Sequence, residues 1–334
     1  MIRAAITGLG WWGQNLVNAA RASDTIRFTA ACSRTRQTAS AFCQEHTLRW
    51  TDDYESLLRD PDIDAVVLAT PHSLHRDQVI RAARAGKAVF TEKPFALSLS
   101  DADAMLAAVA EAKVTLAVGF NRRFHPSMTR LRDAVRSGEL GTLVTVNAEQ
   151  TALHGLDMAD DAWRAQPGEA PGGAMTAIGV HLVDGMIDLF GPVREVRAIV
   201  ARRAARNADD TTHVLLSFES GAHGQIFCST TATPHYRFAV YGTGGMAEIL
   251  GHPMNTLRLT PSAAGEHRRT GKPEVIETPG FNMLTAELEE FAAAIQEKRP
   301  FRTPLTEIRH GVAVFEAILR SAASGEAEAV QSAA

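Results

Sequence analysis

Cysteine is scarce in this chain. Three residues (Cys32, Cys43 and Cys228) among 334 form neither a disulfide framework nor a CxxC metal site, so a reducing compartment fits and no metal is expected. Long apolar runs are missing too. No uncharged stretch approaches the ~18 residues that a membrane helix needs, which argues against a membrane partner. The first apolar segment, residues 2–6, runs straight into a glycine loop and leaves no room for a signal peptide, so a cytoplasmic protein is expected. Nor is positive charge in excess: 34 Lys and Arg against 38 Asp and Glu give a net charge of −4, which speaks against a nucleic-acid partner. No internal repeat is visible. What remains is the composition of an ordinary globular chain, 45% hydrophobic and 22% charged, long enough for about two domains at roughly 150 residues each.

The pattern changes near residue 121. Before it, short β-branched runs at 2–7, 28–33, 65–70, 88–91 and 115–120 alternate with alanine-rich helical stretches such as 16–22, 74–85 and 102–112, the last following Ser100 and Asp101 as caps. Runs apolar on both faces and separated by helices predict a doubly wound parallel sheet, hence an α/β domain over 1–121. Beyond it, a helix at 126–136 and a strand at 143–150 lead to an aperiodic segment, 153–172, and a long helix at 174–190. Strand-like segments near 193–203, 211–219, 223–231, 235–241, 246–250 and 255–260, punctuated by Ser220-Gly221 and Gly244-Gly245, predict an open, mainly antiparallel sheet. Helices at 283–297 and 305–321 complete an α+β domain over 122–323, and the small, polar residues 324–334 read as a frayed tail.

The strongest local signal is Gly8-Leu9-Gly10-Trp11-Trp12-Gly13, which follows a predicted strand and opens a predicted helix. In that context GxGxxG is a dinucleotide-binding (Rossmann) fingerprint. The first glycine permits the turn, the second lets backbone approach a pyrophosphate, and the third lets helix and strand pack closely. The end of the second strand, where an acidic residue would bind a ribose 2′-hydroxyl, reads Cys32-Ser33-Arg34-Thr35-Arg36 instead. A hydroxyl followed by Arg34 and Arg36 suits a 2′-phosphate, so NADP is favoured over NAD. Thr91-Glu92-Lys93-Pro94 follows a strand, and ligands of such sheets bind beyond the strands' carboxyl ends. Lys93 can there donate to a substrate oxygen and stabilise developing alkoxide charge. On the 174–190 helix, His181, Asp184 and Asp188 fall at i, i+3 and i+7 on one face, among apolar neighbours.

Together these segments resemble the glucose–fructose oxidoreductase / inositol dehydrogenase / rhizopine-catabolism (Gfo/Idh/MocA) family over nearly the whole chain. The resemblance rests on Gly8–Gly13, Thr70-Pro71-His72-Ser73-Leu74-His75, Gly86-Lys87 and Glu92-Lys93-Pro94. It continues through Asn121-Arg122-Arg123-Phe124, Trp163-Arg164, the helix from Gly172 to Asp184, and Tyr241-Gly242-Thr243-Gly244-Gly245 with Glu248. It implies an NAD(P)-dependent oxidoreductase acting on a sugar, polyol or related hydroxy or keto compound, with Lys93 and His181 catalytic. Gly8, Gly10, Trp11, Trp12, Gly13, Ser33, Arg34, Arg36, Thr70, Pro71, His72, His75, Glu92, Lys93, Asn121, Trp163 and Arg164 would serve the cofactor. Arg122, His154 and Thr176 would join Lys93 and His181 around the substrate. A homo-oligomer across the open sheet is implied as well.

One departure stands out. Many members of the family carry an aspartate four residues before the histidine, and here that position is Ala177. Thr176, Asp184 or a group from the 151–171 loop must then partner His181, or Lys93 carries more of the proton transfer. Two rival readings follow: a dinucleotide-sensing protein with an altered site, and a glycosidase that oxidises and re-reduces its substrate on held NAD.

Overall fold

In a computed structural model the structure describes residues 1–252, 254–263 and 270–331. It divides into two compact units, 1–121 with 282–308, and 122–281 with 309–334. The sequence reading had assigned 282–308 to the second domain.

The first unit alternates strands and helices: β1 (Ile2–Thr7), α1 (Trp11–Ala20), β2 (Ile26–Cys32), α2 (Arg36–Glu45), β3 (Arg49–Thr51), α3 (Tyr54–Arg59), β4 (Ala65–Leu68), α4 (His75–Arg84), β5 (Ala88–Thr91), α5 (Leu99–Ala112) and β6 (Leu116–Val118). The strands form one parallel sheet in the order β3-β2-β1-β4-β5-β6. All four residues of β4 and of β5 are buried, which is why they read as unbroken apolar runs. The sequence reading missed β3, a three-residue edge strand with an exposed arginine and no apolar run to betray it. The cap of α5 also differs from expectation: Ser98 accepts from the Asp101 amide at 3.1 Å, and Ser100 already lies within the helix. Because strand order reverses between β1 and β4, right-handed crossovers put α1 and α4 on opposite faces.

The second unit contains α6 (Pro126–Arg136), β7 (Leu143–Thr151), a π-turn at Met175–Gly179 running into α7 (Val180–Phe190), and β8 (Val193–Ala201), β9 (Thr211–Phe218), β10 (His223–Ser229), β11 (His235–Gly242), β12 (Gly245–Leu250), β13 (Thr256–Pro261) and β14 (Glu274–Glu277). The chain then passes through α8 (Met283–Gln296), α9 (Leu305–Ser324) and β15 (Glu328–Ala329). Among the described residues the second sheet has nine strands in the order β14-β13-β12-β11-β7-β10-β9-β8-β15. Every neighbouring pair is antiparallel except β7 with β10. The expected frayed tail is tied down in part: Glu328 and Ala329 pair with Val196 and Glu195 of β8, and Arg320 donates to Ala329 O at 3.1 Å. Residues 332–334 of that tail lie outside the described residues.

Strand alternation decides which face is covered. Thr212, Val214, Leu216 and Phe218 of β9 are buried while His213 and Leu215 face outward. On the covered face, Gly185 of α7 lies so close to Phe238 that an added Cβ would sit 3.2 Å from its ring. Ser321 and His310 of α9 accept from backbone amides of β8, Ala198 N at 2.9 Å and Val193 N at 2.8 Å.

The 282–308 segment joins the first unit for a packing reason. On the α1 face, α8 lies beside α1, and Thr285 donates to Ala19 O at 2.9 Å. Leu288, Phe291, Ala292 and Ala294 are wholly buried, and Phe291 meets Phe90 of β5 edge-on at 5.8 Å. A distant helix thus supplies cover that the local crossovers do not.

Candidate functional site

The glycine loop shows three different local needs. Gly8 has φ +96°, and a Cβ there would lie 2.5 Å from Ala69 O. A Cβ on Gly13 would lie 1.9 Å from Gly8 O, so this glycine is what lets α1 approach the loop. Gly10 is neither strained nor crowded: it is extended (φ −68°, ψ 179°), and a Cβ would meet nothing within 4 Å. Nothing in the protein explains the second glycine, whereas a phosphate group held over α1 would. α1 has no side-chain N-cap and no acidic residue in its first turn, which leaves its amide dipoles open to an anion. The loop therefore fits a dinucleotide. Trp11 is 75% exposed beside it, its ring 5.5 Å from that of Trp12.

At the end of β2, Ser33 Oγ accepts from Trp50 Nε1 at 3.0 Å, and the Arg36 guanidinium lies 5.5 Å above the centre of the Trp50 ring. Arg34 is exposed next to them. Trp50 sits on β3 and went unremarked in the sequence, because its relation to Ser33 and Arg36 comes from strand pairing (Ala31 opposite Trp50, Cys32 opposite Thr51). The neighbouring Cys32 thiol is pushed up to about 11 by burial and by the charges of Asp52 and Asp53, which keeps it neutral.

The turns after β4 and β5 hold each other. His75 is fully buried, with Nδ1 3.0 Å from Pro94 O and Nε2 3.2 Å from Thr70 O. Thr70 Oγ1 donates to Gln78 at 2.6 Å, and His72 lies buried with its ring edge-on to His75 at 5.7 Å. His75 thus ties two loops together. The Lys93-Pro94 peptide is cis, Lys93 is half-buried, and Glu92 and Asn121 are buried.

In the second unit, Arg122 stacks over Tyr236 at 5.1 Å and donates to Gln150 Oε1 at 2.5 Å; burial lowers its pKa. Arg123 accounts for the carboxylates of the α7 stripe. Its guanidinium forks onto Asp184 at 2.9 and 2.7 Å and lies 3.4 Å from Asp188. Asp188 also faces Arg136 at 3.7 Å and Arg132 at 4.0 Å. Asp184 is therefore the counter-ion of a buried arginine. Thr176 is likewise buried, its hydroxyl donating to Pro171 O. His181 is half-buried at the start of α7. The π-turn before it, through Met175–Gly179, contains Ala177, so the four-residue spacing from 177 to 181 does not follow α-helical angles. His154 is exposed, and Trp163, in a short 3₁₀ turn, carries the Arg164 guanidinium over its ring at 4.2 Å. Among the described residues no group of three or more His, Cys, Asp or Glu could hold a metal ion, and no helix is long and apolar enough to cross a membrane.

A glycine fingerprint on a parallel sheet, joined to a large open sheet, defines a class of nicotinamide oxidoreductase architecture, and comparison with known proteins narrows it. Residues 2–120 match the oxidoreductase family described as having an NAD-binding Rossmann fold, and residues 128–248 match the GFO/IDH/MocA C-terminal domain. The chain belongs to the Gfo/Idh/MocA family of oxidoreductases. It is 30% identical over 257 residues to trans-1,2-dihydrobenzene-1,2-diol dehydrogenase of Homo sapiens, covering 76% of this chain and 74% of that one. Among solved structures, aldose-aldose oxidoreductase from Caulobacter crescentus, complexed with glycerol, is 26% identical with a TM-score of 0.88, over 98% and 99% of the two chains. Levoglucosan dehydrogenase, in complex with NADH and L-sorbose, shares the fold at a TM-score of 0.92 and 22% identity over 99% of each chain.

Proposed function

We propose that this oxidoreductase uses NAD(P) to interconvert a secondary alcohol and a ketone, or a lactol and a lactone, on a sugar, polyol or cyclic diol. The bound nicotinamide supplies or accepts the hydride. The observation that carries the reading is the open space at Gly10 over an uncapped α1, in a chain that also holds Lys93 in a turn fastened by His75. Lys93 donates to the substrate oxygen and stabilises its charge as the carbon changes oxidation state, and His181 holds or releases the hydroxyl proton. The names of the relatives, a diol dehydrogenase and an aldose oxidoreductase, support the substrate class. Screening polyols, aldoses and cyclic diols with NAD and NADP separately tests the proposal through the absorbance of reduced cofactor. A folded, cofactor-binding protein inert across the panel would point to the sensing role instead. Release of free sugar without net reduced cofactor would point to the redox glycosidase.

NADP is the cofactor we favour. Arg36, braced on Trp50, and the exposed Arg34 offer forked donors beside the Ser33 hydroxyl at the end of β2. Replacing both arginines with alanine should raise KM for NADP roughly ten- to a hundredfold and leave KM for NAD nearly unchanged, since a charge-assisted hydrogen bond is worth ~1.5–3 kcal/mol. Equal losses for the two cofactors would assign the arginines to structure.

The chain works as a homo-oligomer in this proposal. On the outward face of the second sheet Ile199 is 67% and Leu215 59% exposed, on adjacent strands, and His213 stacks on Phe227 at 4.8 Å. An apolar face of this kind on an open sheet suits a second copy. Light scattering should give a dimer or tetramer at micromolar concentration, and Ile199→Glu with Leu215→Glu should yield a folded monomer. A monomeric parent would overturn the assignment.

A further inference from the structure

Glu287 is the most anomalous ionisable group in the first unit. It lies on the covered face of α8, one turn before Phe291, and it is fully buried. Neither of its carboxyl oxygens has a hydrogen-bond partner among the described residues. A buried carboxylate in that condition would cost several kcal/mol, so the neutral acid is the form that the site tolerates.

What it faces is on the page. Phe90 and Glu92 are two residues apart on the same strand line and share a face, and Phe291, one turn along α8 from Glu287, packs on Phe90, which sets Glu287 toward the Glu92 side of the sheet. The Glu92 carboxylate lies against Gly119, where a Cβ would be 2.7 Å from Oε1, and its Oε2 accepts from the Lys93 amide at 3.2 Å. Glu289 lies two residues along α8 and Lys93 adjoins Glu92. α1, β4 and β6 carry no ionisable side chain. On β2, Arg27 is exposed and the Cys32 thiol is neutral. On β1, Arg3 is bound to Asp64 at 2.8 Å. On α8 itself, Glu290 pairs with Arg299 at 2.5 Å. From the opposite face, His75 holds Pro94 O.

We propose that Glu287 and Glu92 form a carboxylic acid–carboxylate pair in which Glu287 holds the proton, and that this pair positions the Glu92–Pro94 turn that presents Lys93. The inference rests on the reading of Lys93 as the group that acts on substrate. Burial and the Glu92 charge together hold the Glu287 carboxyl well above its ordinary range. Two like groups facing each other in a dry space cannot both ionise, so they share one proton. Glu287 is a positioning residue here: it steadies Glu92, Glu92 holds the Lys93 amide, and α8 and α4 clamp the turn from the two faces of the sheet.

The pair can be tested without cofactor. Infrared spectra of the parent at about pH 8 should contain the carbonyl stretch of a protonated carboxylic acid, far above the ordinary glutamate range, and Glu287→Gln should lose it. The folded state binds this proton where the unfolded chain has released it, so the pair's contribution to stability falls as pH rises from the ordinary carboxyl value toward the raised one. Glu287→Gln should therefore gain Tm over the parent progressively as pH rises above the ordinary carboxyl range. In turnover, Glu287→Leu should lower kcat about tenfold with cofactor KM little changed, because Glu92 loses the buried neutral acid beside it. Glu287→Gln, which keeps a neutral polar group of the same shape, should recover most of that loss. Absence of the protonated-carboxyl band, or a Tm difference that does not change with pH, would overturn the pair. A Glu287→Leu enzyme with parental kcat would overturn its role in positioning. Should the leucine variant fail to fold, the infrared band and the glutamine variant's Tm still decide the matter. If Lys93→Met retains parental kcat, the reading of Lys93 falls while the infrared and Tm results stand on their own.

Discussion

Lys93→Met is expected to lower kcat by about 10²–10⁴-fold, the usual contribution of a positioned acid–base group, while NAD(P) affinity stays near the parental value. Methionine keeps the length and the apolar stem of lysine and removes only the ammonium, so the half-buried side chain still packs. The backbone around it is held independently, by His75 on Pro94 O and by Glu92 on the Lys93 amide, so the substitution leaves the turn intact. His181→Ala should produce a loss of the same order if the histidine exchanges the proton. Asp184 forks onto Arg123 and the Thr176 hydroxyl donates to Pro171 O, so both already have other partners. Steady-state kinetics on the panel's best substrate separate the cases. A His181→Ala enzyme with unchanged kcat would leave Lys93 as the proton donor, and unchanged kcat in both variants would mean that neither group does the chemistry.

Gly10→Val is expected to abolish cofactor binding and leave the apo fold untouched. Its backbone is extended, a conformation that valine adopts readily, and the new Cβ meets no protein atom within 4 Å. The branched methyl groups would instead occupy space over the first turn of α1, where a pyrophosphate approaches the backbone. Loss of close phosphate contact should weaken binding at least a hundredfold, about 2.8 kcal/mol. Fluorescence titration with NADH and NADPH, alongside Tm of the apo protein, reads both halves of the expectation. Gly13→Ala is the contrasting control: its Cβ would lie 1.9 Å from Gly8 O, so Tm should fall as well. A folded Gly10→Val protein that binds both cofactors as its parent does would show that the loop is not their phosphate site.

The glycine loop was legible because its signal is local. Strand, turn and helix follow within a dozen residues, and each glycine answers to contacts near it in sequence. The same holds for the buried runs of β4 and β5 and for the alternation along β9. The stripe of His181, Asp184 and Asp188 was legible as an anomaly, but its explanation was not. The carboxylates needed Arg123, which lies 61 residues from Asp184, and no periodicity connects the two. β3, β14 and β15 were missed because edge strands of three, four and two residues have little buried apolar surface to announce them.

Sequence by itself determined the doubly wound sheet, the dinucleotide loop, the family and the open, mainly antiparallel second sheet, since each depends on local periodicity or on short motifs. Only the tertiary structure decided that α8 returns to the first sheet, that Trp50 braces Arg36, and that Glu287 is fully buried. Each of those is a meeting between segments far apart in the chain. Burial, and the charge states that follow from it, belong to the packed neighbours, which no window along the sequence contains.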